Sequence, residues 1–481
     1  MSAQFLLLLI SVIPLLNCGV LAFFQASQKL VNIFSKISPL LFFVSLIGLY
    51  NKLNYHKIVD VEIIKIFQDA AFAFKVDWTS LRFLFLLNFI WVIFGFYIHR
   101  FLRFLNHQQI NNFKLFFAIA VALINFIIIA QNLLTTLFFY DFLILFCHFF
   151  AVKFFYKKEN KFSHFTFLLY VESVFFFLAV VATYKFSTQI NFSANGILSD
   201  ISLVKSFILL VLYLSGLFLT IIFPSYLFCA KNNFDNLTIY ILFLFCYAFV
   251  SLYIFIKILV AIFGLDNLSA IISQVKLNYL QAILFLNFLL CAFFIIFNKN
   301  LKSLLFYLIF NQIIFALSTI FVFAIFDKTK IYLPLLSFLL SLTLIFLCFS
   351  NVILYLEKFP KQNFKGLFYN LKITVSLLIF ALLNLIGVVP GISAMEKFFL
   401  LKILLKKKLF FATLIFIANT LILTALSGRL IYLFLSKNSQ ELSAEDKEFA
   451  KIIDFDSSLI LTSLTTAIVI FLAPVFFLII K

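Results

Sequence analysis

The chain has 481 residues, of which 65% are hydrophobic and only 12% charged, with a mean hydropathy of +1.16. Those values exclude a soluble globular domain and identify an integral membrane protein. The formal net charge of +18 would suggest a nucleic-acid partner in a soluble chain, but here the basic residues are scattered over short connections between apolar runs. Charge at the surface of the lipid bilayer is the better reading, and no nucleic acid is expected.

The apolar runs are continuous, not alternating, and each is about the 20 residues a spanning helix needs, so helices are expected over a closed barrel. Spans are predicted near 4–24, 31–51, 79–98, 115–131, 132–152, 162–184, 203–223, 237–262, 276–297, 303–325, 332–356, 373–395, 408–435 and 458–480. That is an all-α membrane protein of about fourteen transmembrane helices, with most connections too short to fold alone, hence a single membrane domain over 1–481. The N-terminus lacks a basic segment and a small-residue cleavage site, so the first helix is expected to be retained. Lys and Arg lie on connections of both sides, and the positive-inside rule fixes no orientation.

Taken in order, the first long connection, 52–78, carries Lys52, His56, Asp60, Glu62, Lys65, Asp69 and Asp77 among apolar residues and reads as an ordered, partly interfacial loop. The span 203–223 has Gly216 and Pro224 near its end, and five spans later Gly387, Pro390 and Gly391 interrupt 373–395. Two interrupted helices at matching places suggest inverted five-helix repeats, about 115–262 and 276–435. Within 436–457, Ser443 and Asp446 resemble a capping box, after which Phe449, Ile452 and Ile453 line one face of a short amphipathic segment, about 440–457, expected on the membrane surface. A C-terminal helix follows over 458–480.

Six cysteines fall inside apolar runs without CxxC or Cys/His spacing, so neither disulfides nor a metal are expected, and no cofactor-binding, redox or hydrolytic motif is visible. The 75 phenylalanines read as compositional bias.

Chemistry is expected where charge sits inside a span, because such residues face cavities or partners. Asp141 lies mid-span in F-F-Y-D-F-L-I-L-F-C-H; the alternative to proton relay is a structural hydrogen bond to a neighbouring helix. Glu172, in L-Y-V-E-S-V, is a second such carboxylate. His148 follows Asp141 by two helical turns, where an imidazole could pass protons or simply sit at the interface. In G-V-V-P-G-I-S-A-M-E-K-F-F-L the break brings backbone polar groups close to Glu396 and Lys397. A lysine desolvated there can load and release a proton, with Glu396 setting the balance, although snorkelling beside Lys402 and Lys406 to Lys408 is the plainer alternative. Lys302 stands in the basic turn N-K-N-L-K-S-L-L-F-Y, where interfacial placement suffices to explain it.

These stretches resemble the antiporter-like membrane subunits shared by respiratory complex I and the Mrp-type cation/proton antiporters. The broken-helix stretch resembles that family's G-x-P-P-x-x-G-F-x-x-K-F and puts Lys397 on its helix-twelve lysine. F-K-V-D-W-T-S-L-R-F resembles F-x-V-D-x-x-S-L-x-F through Asp77 and Ser80, N-L-L-T-T-L-F-F-Y-D-F-L places Asp141 on the family's fifth-helix glutamate, and Lys302 with Tyr307 matches D-L-K-R-x-L-A-Y. The resemblance implies fourteen helices, broken helices seven and twelve, and movement of protons or exchange of monovalent cations for protons. It also implies partner membrane subunits in a respiratory or Mrp-like complex, in a bacterial cell membrane or a mitochondrial inner membrane. The chain departs from the pattern at Leu219 and Phe249, where the family carries lysines, and P-L-L-S-F-L-L-S-L-T-L has no counterpart of its helix-eleven H-x-x-x-K. A mainly structural subunit lacking the central lysine relay is therefore a second expectation. A third is a multi-spanning glycosyltransferase using Asp60, Glu62 and Asp69.

Overall fold

The structure, a computed structural model, describes residues 2–23, 27–54, 58–67, 70–105, 110–155, 164–193, 195–198, 202–222, 237–268, 286–293, 301–358, 365–436 and 444–479. Apolar side chains, abundant at every turn, leave the backbone no polar partner but itself, and helices result. In order they are α1 (Ala3–Phe23), α2 (Gln28–Leu53), α3 (Trp78–Leu105), α4 (Ile110–Ile129), α5 (Leu133–Phe155), α6 (His164–Ser187), α7 (Leu203–Phe218) and α8 (Leu237–Ile258), which continues as a π-helical turn over Leu259–Phe263. Then come α9 (Leu301–Phe326), α10 (Leu333–Lys358), α11 (Lys372–Ile386), α12 (Ile392–Lys406), α13 (Phe410–Leu435), α14 (Ala444–Phe455) and α15 (Ser457–Ile479). Among the described residues nine helices are long and apolar enough to cross a membrane, and shorter apolar ones accompany them. The protein is a multi-pass membrane protein.

The chain packs as two compact units, residues 1–219 with 253–267, and residues 220–252 with 268–481. In the first, α1 packs on α2 and α4, and α6 on α7. Gly216 stays helical within α7; its missing Cβ, which would lie 2.6 Å from the Phe176 backbone nitrogen, is what lets α7 approach α6 so closely. Helix α7 ends at Phe218 and gives way to a turn over 219–222, ahead of Pro224, which lies outside the described residues.

The first long connection is not a loop. It forms an antiparallel hairpin, β1 (Val59–Phe67) and β2 (Ala70–Val76), paired Val59 to Val76 with irregularities at Glu62/Ile64 and Lys65/Phe67. V-D-V-E-I alternates apolar and polar residues, the period of a strand with one wet face. On the packed side, Phe74 stacks on Phe126 at 5.4 Å. The Gln131 amide donates to Ala73 O (2.9 Å), and Asn132 Nδ2 donates to Ala71 O (2.6 Å), so β2 fixes the joint between α4 and α5.

In the second unit α10 packs on α11, α12 and α15. Helices α11 and α12 have 15 residues each, about 22 Å at 1.5 Å per residue. Each is too short to cross roughly 30 Å of hydrocarbon, so together they make one span with its break inside. Helix α14 buries Phe449 and Ile453, as its pattern suggests, but Ile452 is 50% exposed and Asp454 takes the inner side instead. The proposed capping residues Ser443 and Asp446 have side chains outside the described residues.

Candidate functional site

Two places in the chain bring ionisable side chains against interrupted or terminating helices, one in each unit.

In the first unit, Asp141 projects from α5 toward α6 and is half-buried, accepting a 2.6 Å hydrogen bond from Ser173 Oγ. It flanks a stripe of outward-facing residues, Phe138, Phe142 and Leu145, so the hydrogen bond is what turns its carboxyl inward. Glu172, the chain neighbour of Ser173, is fully buried. His148 lies on α5 and Lys302 on α9, but both side chains lie outside the described residues.

A lysine that no local sequence pattern singles out is central to this unit. Lys257, at the end of α8, donates from Nζ to Ala130 O at 2.5 Å and to Ile128 O at 3.3 Å, while Tyr253 donates its hydroxyl to the same Ile128 O at 3.0 Å. The last carbonyls of a helix have no partner within the helix and carry partial negative charge, and an ammonium satisfies both needs. The Phe192 ring lies 4.6 Å from the same Nζ.

Asp77, just ahead of α3, faces this lysine's field. Burial opposes its ionisation, but the Ser80 amide and the Thr79 and Ser80 hydroxyls donate to it, and Lys257 adds attraction, so its carboxyl is held below the usual carboxylate range. A carboxyl depressed in the folded state contributes stability that is fully present above its unfolded pKa and lost as pH falls through the folded one. Asp77→Asn is therefore expected to lower the thermal unfolding midpoint at neutral pH. The gap to wild type should close on acidification below about pH 4; a gap constant with pH would show that the carboxylate charge is not what matters.

The second place is the break between α11 and α12. Gly387 adopts φ +99°, and the amides of Gly387 and Val388 fold back onto Leu383 O at 3.2 and 3.0 Å, a left-handed helix stop. Lys397, 7% exposed, reaches back from α12 and donates to Leu385 O at 2.6 Å and Ile386 O at 2.9 Å, with the Phe315 ring 5.5 Å from Nζ. It thus caps the half-helix that precedes it in the same span. A Cβ at Gly387 would sit 2.8 Å from Lys397 Cδ, so the glycine provides both the turn and the groove for the lysine stem.

Beside it lies a buried polar cluster. Thr319 Oγ1 donates to Glu396 Oε1 at 3.0 Å, and the Ser337 hydroxyl also bonds this carboxyl. Ser393 Oγ lies 3.0 Å from Ser337 Oγ and 3.1 Å from Ser341 Oγ, and Asn384 Nδ2 donates to Ser341 Oγ at 2.8 Å. Ser337 and Ser341 are the two serines of P-L-L-S-F-L-L-S, one helical turn apart on α10, in the segment that carries no H-x-x-x-K. The signal available in the sequence was that spacing of small hydroxyl residues on an apolar helix.

Leu219 stands in the turn after α7, and Phe249 is buried within α8. Asp60 and Glu62 stand exposed on β1, the latter 3.7 Å from Lys65, while Asp69 lies outside the described residues. Among the described residues no group of His, Cys, Asp and Glu could hold a metal ion.

No family model matches the sequence, and no curated protein matches it. Solved structures do match in fold. A chain of the membrane-bound sulfane sulfur reductase (MBS), an archaeal respiratory membrane complex, superposes with a TM-score of 0.77 at 16% identity, over 98% of this chain and 94% of that one. A chain of the Mrp complex from Dietzia sp. DQ12-45-1b gives a TM-score of 0.78 at 12% identity, over 100% and 96%. The chain shares its fold with these membrane-complex subunits over almost their whole length.

Proposed function

We propose that the chain is an antiporter-like subunit of a multi-subunit membrane complex and that it translocates protons or exchanges monovalent cations for protons. The observation that carries this reading is Lys397, a buried lysine seated on the carbonyl end of a half-helix inside a broken span, in a chain that shares the fold of Mrp and MBS subunits.

The geometry suits a group that changes charge without changing place. An ammonium has three N–H donors, and Lys397 uses two of them on Leu385 O and Ile386 O. Its neutral amine keeps two donors, so both carbonyls stay served after the proton leaves. Asp141, tied by a single hydroxyl, is the corresponding carboxylate of the first unit. Lys257 and Asp77, placed at the ends of α8 and α3, supply a further basic and acidic pair there.

The test is proton flux into vesicles holding the assembled complex. Asp141→Asn and Lys397→Ala are each expected to lower the flux at least about tenfold, the loss typical of removing one proton-transfer group, with the complex still assembled. Wild-type flux in both variants would overturn the relay. A mainly structural role is the second reading, favoured by Leu219 and Phe249 standing where lysines would continue a relay. It expects unchanged flux in both variants and loss of assembly when the chain is deleted.

A further inference from the structure

Two turns of the second unit meet at one end of its helices. The first joins α9 to α10 through a 3-10 turn over Lys328–Lys330, and the second joins α12 to α13 through Lys406, Lys407 and Lys408. Two cation–ring contacts tie them together: Lys330 Nζ lies 3.8 Å from the centre of the Phe399 ring on α12, and Lys407 Nζ 5.2 Å from that of Phe326, the last residue of α9. With Lys402, one helical turn before Lys406, these segments carry six lysines against a single carboxylate, Asp327. Lys330 takes that carboxylate at 2.6 Å. Lys402, Lys406 and Lys408 are exposed and, among the described residues, have no carboxylate within ion-pair distance.

The turn after α12 holds one of these charges at a cost. Leu409 N donates to Leu404 O at 3.0 Å and Lys408 N to Leu405 O at 3.1 Å, the paired bonds of a left-handed helix stop. The residue in the left-handed position is Lys408, with φ +54°, where glycine is the residue without penalty. A helix C-terminus favours a nearby cation, but that does not explain a lysine on the strained position with two more before it and Lys328 in the adjoining turn. Below the lysines the helices present hydrocarbon. Phe398, Lys402 and Leu405 follow one another at helical spacing along one exposed face of α12, and α13 opens with exposed Phe410, Phe411 and Leu414.

We propose that these two turns form a headgroup site for one anionic phospholipid of the bilayer, with Lys402, Lys406 and Lys408 holding its phosphate and its acyl chains lying along Phe398, Leu405 and Phe410. Basic clusters at the ends of spanning helices attract anionic headgroups. A zwitterionic lipid brings its own cation beside the phosphate, which this cluster repels, so a headgroup of net negative charge is selected. A free phosphate ion has no chains to cover the apolar faces, and an acidic protein segment at the turns would leave the phenylalanines beneath it uncovered. The site is independent of the transport reading.

The full chain, freed of lipid in a non-ionic detergent, is titrated with dioleoyl phosphatidylglycerol or dioleoyl phosphatidylcholine, and lipid-bound and lipid-free masses are counted by native mass spectrometry. The first phosphatidylglycerol is expected to bind at least about tenfold more tightly than phosphatidylcholine. Lys406→Gln combined with Lys408→Gln should weaken it roughly thirtyfold, two surface cations being lost. Lys185→Gln combined with Lys372→Gln, the same change in charge at exposed lysines elsewhere, should leave it unchanged. Lys408→Gly separates charge from folding: it relieves the left-handed position, so the thermal unfolding midpoint holds or rises while affinity for phosphatidylglycerol falls about fivefold. Equal affinity for the two lipids, equal losses in the two double variants, wild-type affinity in Lys408→Gly, or displacement of the lipid by inorganic phosphate at matched concentration would overturn the site.

Discussion

Alanine at Gly391 is expected to lower the thermal unfolding midpoint of the purified chain by several degrees, whereas alanine at Gly428, inside helix α13, should leave it unchanged or raise it slightly. The two glycines differ in what an added methyl meets. At Gly428 nothing lies within 4 Å, but at Gly391 the methyl would come 2.1 Å from Asn384 Oδ1 and 3.0 Å from its Cγ. Gly391 has φ −66° and ψ 150°, ordinary extended backbone, so the penalty is steric alone. Asn384 cannot yield cheaply, because it is 1% exposed and its Nδ2 is committed to Ser341 Oγ at 2.8 Å. Overpacking of this kind costs about 1–3 kcal/mol, and breaking the buried hydrogen bond adds about 1 kcal/mol. Equal midpoints for the two alanine variants would mean that the break relaxes freely.

The contrast with Gly387 shows why the break was legible in the sequence and its contents were not. Gly387, Pro390 and Gly391 announce an interruption because each removes a feature a helix needs, and Lys397 stands within reach of it in the chain. The role of Ser337 and Ser341 depends on which helix faces α12, which spacing on one helix does not reveal. Lys257 escapes a reading of the sequence, since nothing local shows that the carbonyls of Ile128 and Ala130, about 130 residues earlier, end a helix beside it. The hairpin was missed for a different reason: the alternation of V-D-V-E-I is short and lies among continuous apolar runs that set the expectation of helix. At Asp141 the residue was legible and its partner, Ser173 on the next helix, was not.

Asp454 is the clearest instance of a long-range contact that no local pattern carries, and it leads to the second large effect. The pattern of α14 assigned its apolar face to Phe449, Ile452 and Ile453. In the fold the face turns so that Ile452 points out and Asp454, 3% exposed, points in. Its carboxylate accepts from the amides of Ile373 and Thr374 at 2.9 and 2.8 Å and from Thr374 Oγ1 at 2.9 Å. Those amides belong to the first turn of α11, the positive end of the half-helix whose negative end holds Lys397. A carboxylate at one end and an ammonium at the other each satisfy orphan backbone groups and oppose the local helix charge. Asp454→Ala removes the carboxylate from three donors at once, two of them fully buried, and at about 1 kcal/mol for each lost bond the expected cost is roughly 3 kcal/mol. Asp454→Asn keeps one acceptor oxygen and loses the charge, so its cost should be intermediate. Thermal unfolding of the two variants tests this order, and an Asp454→Ala chain as stable as wild type would show that α11 does not depend on α14. If the order holds, α14 is not a passive surface segment: it anchors the half-helix whose far end carries Lys397, and loosening that anchor should reduce ion flux even though Asp454 touches neither the lysine nor the oxygen cluster.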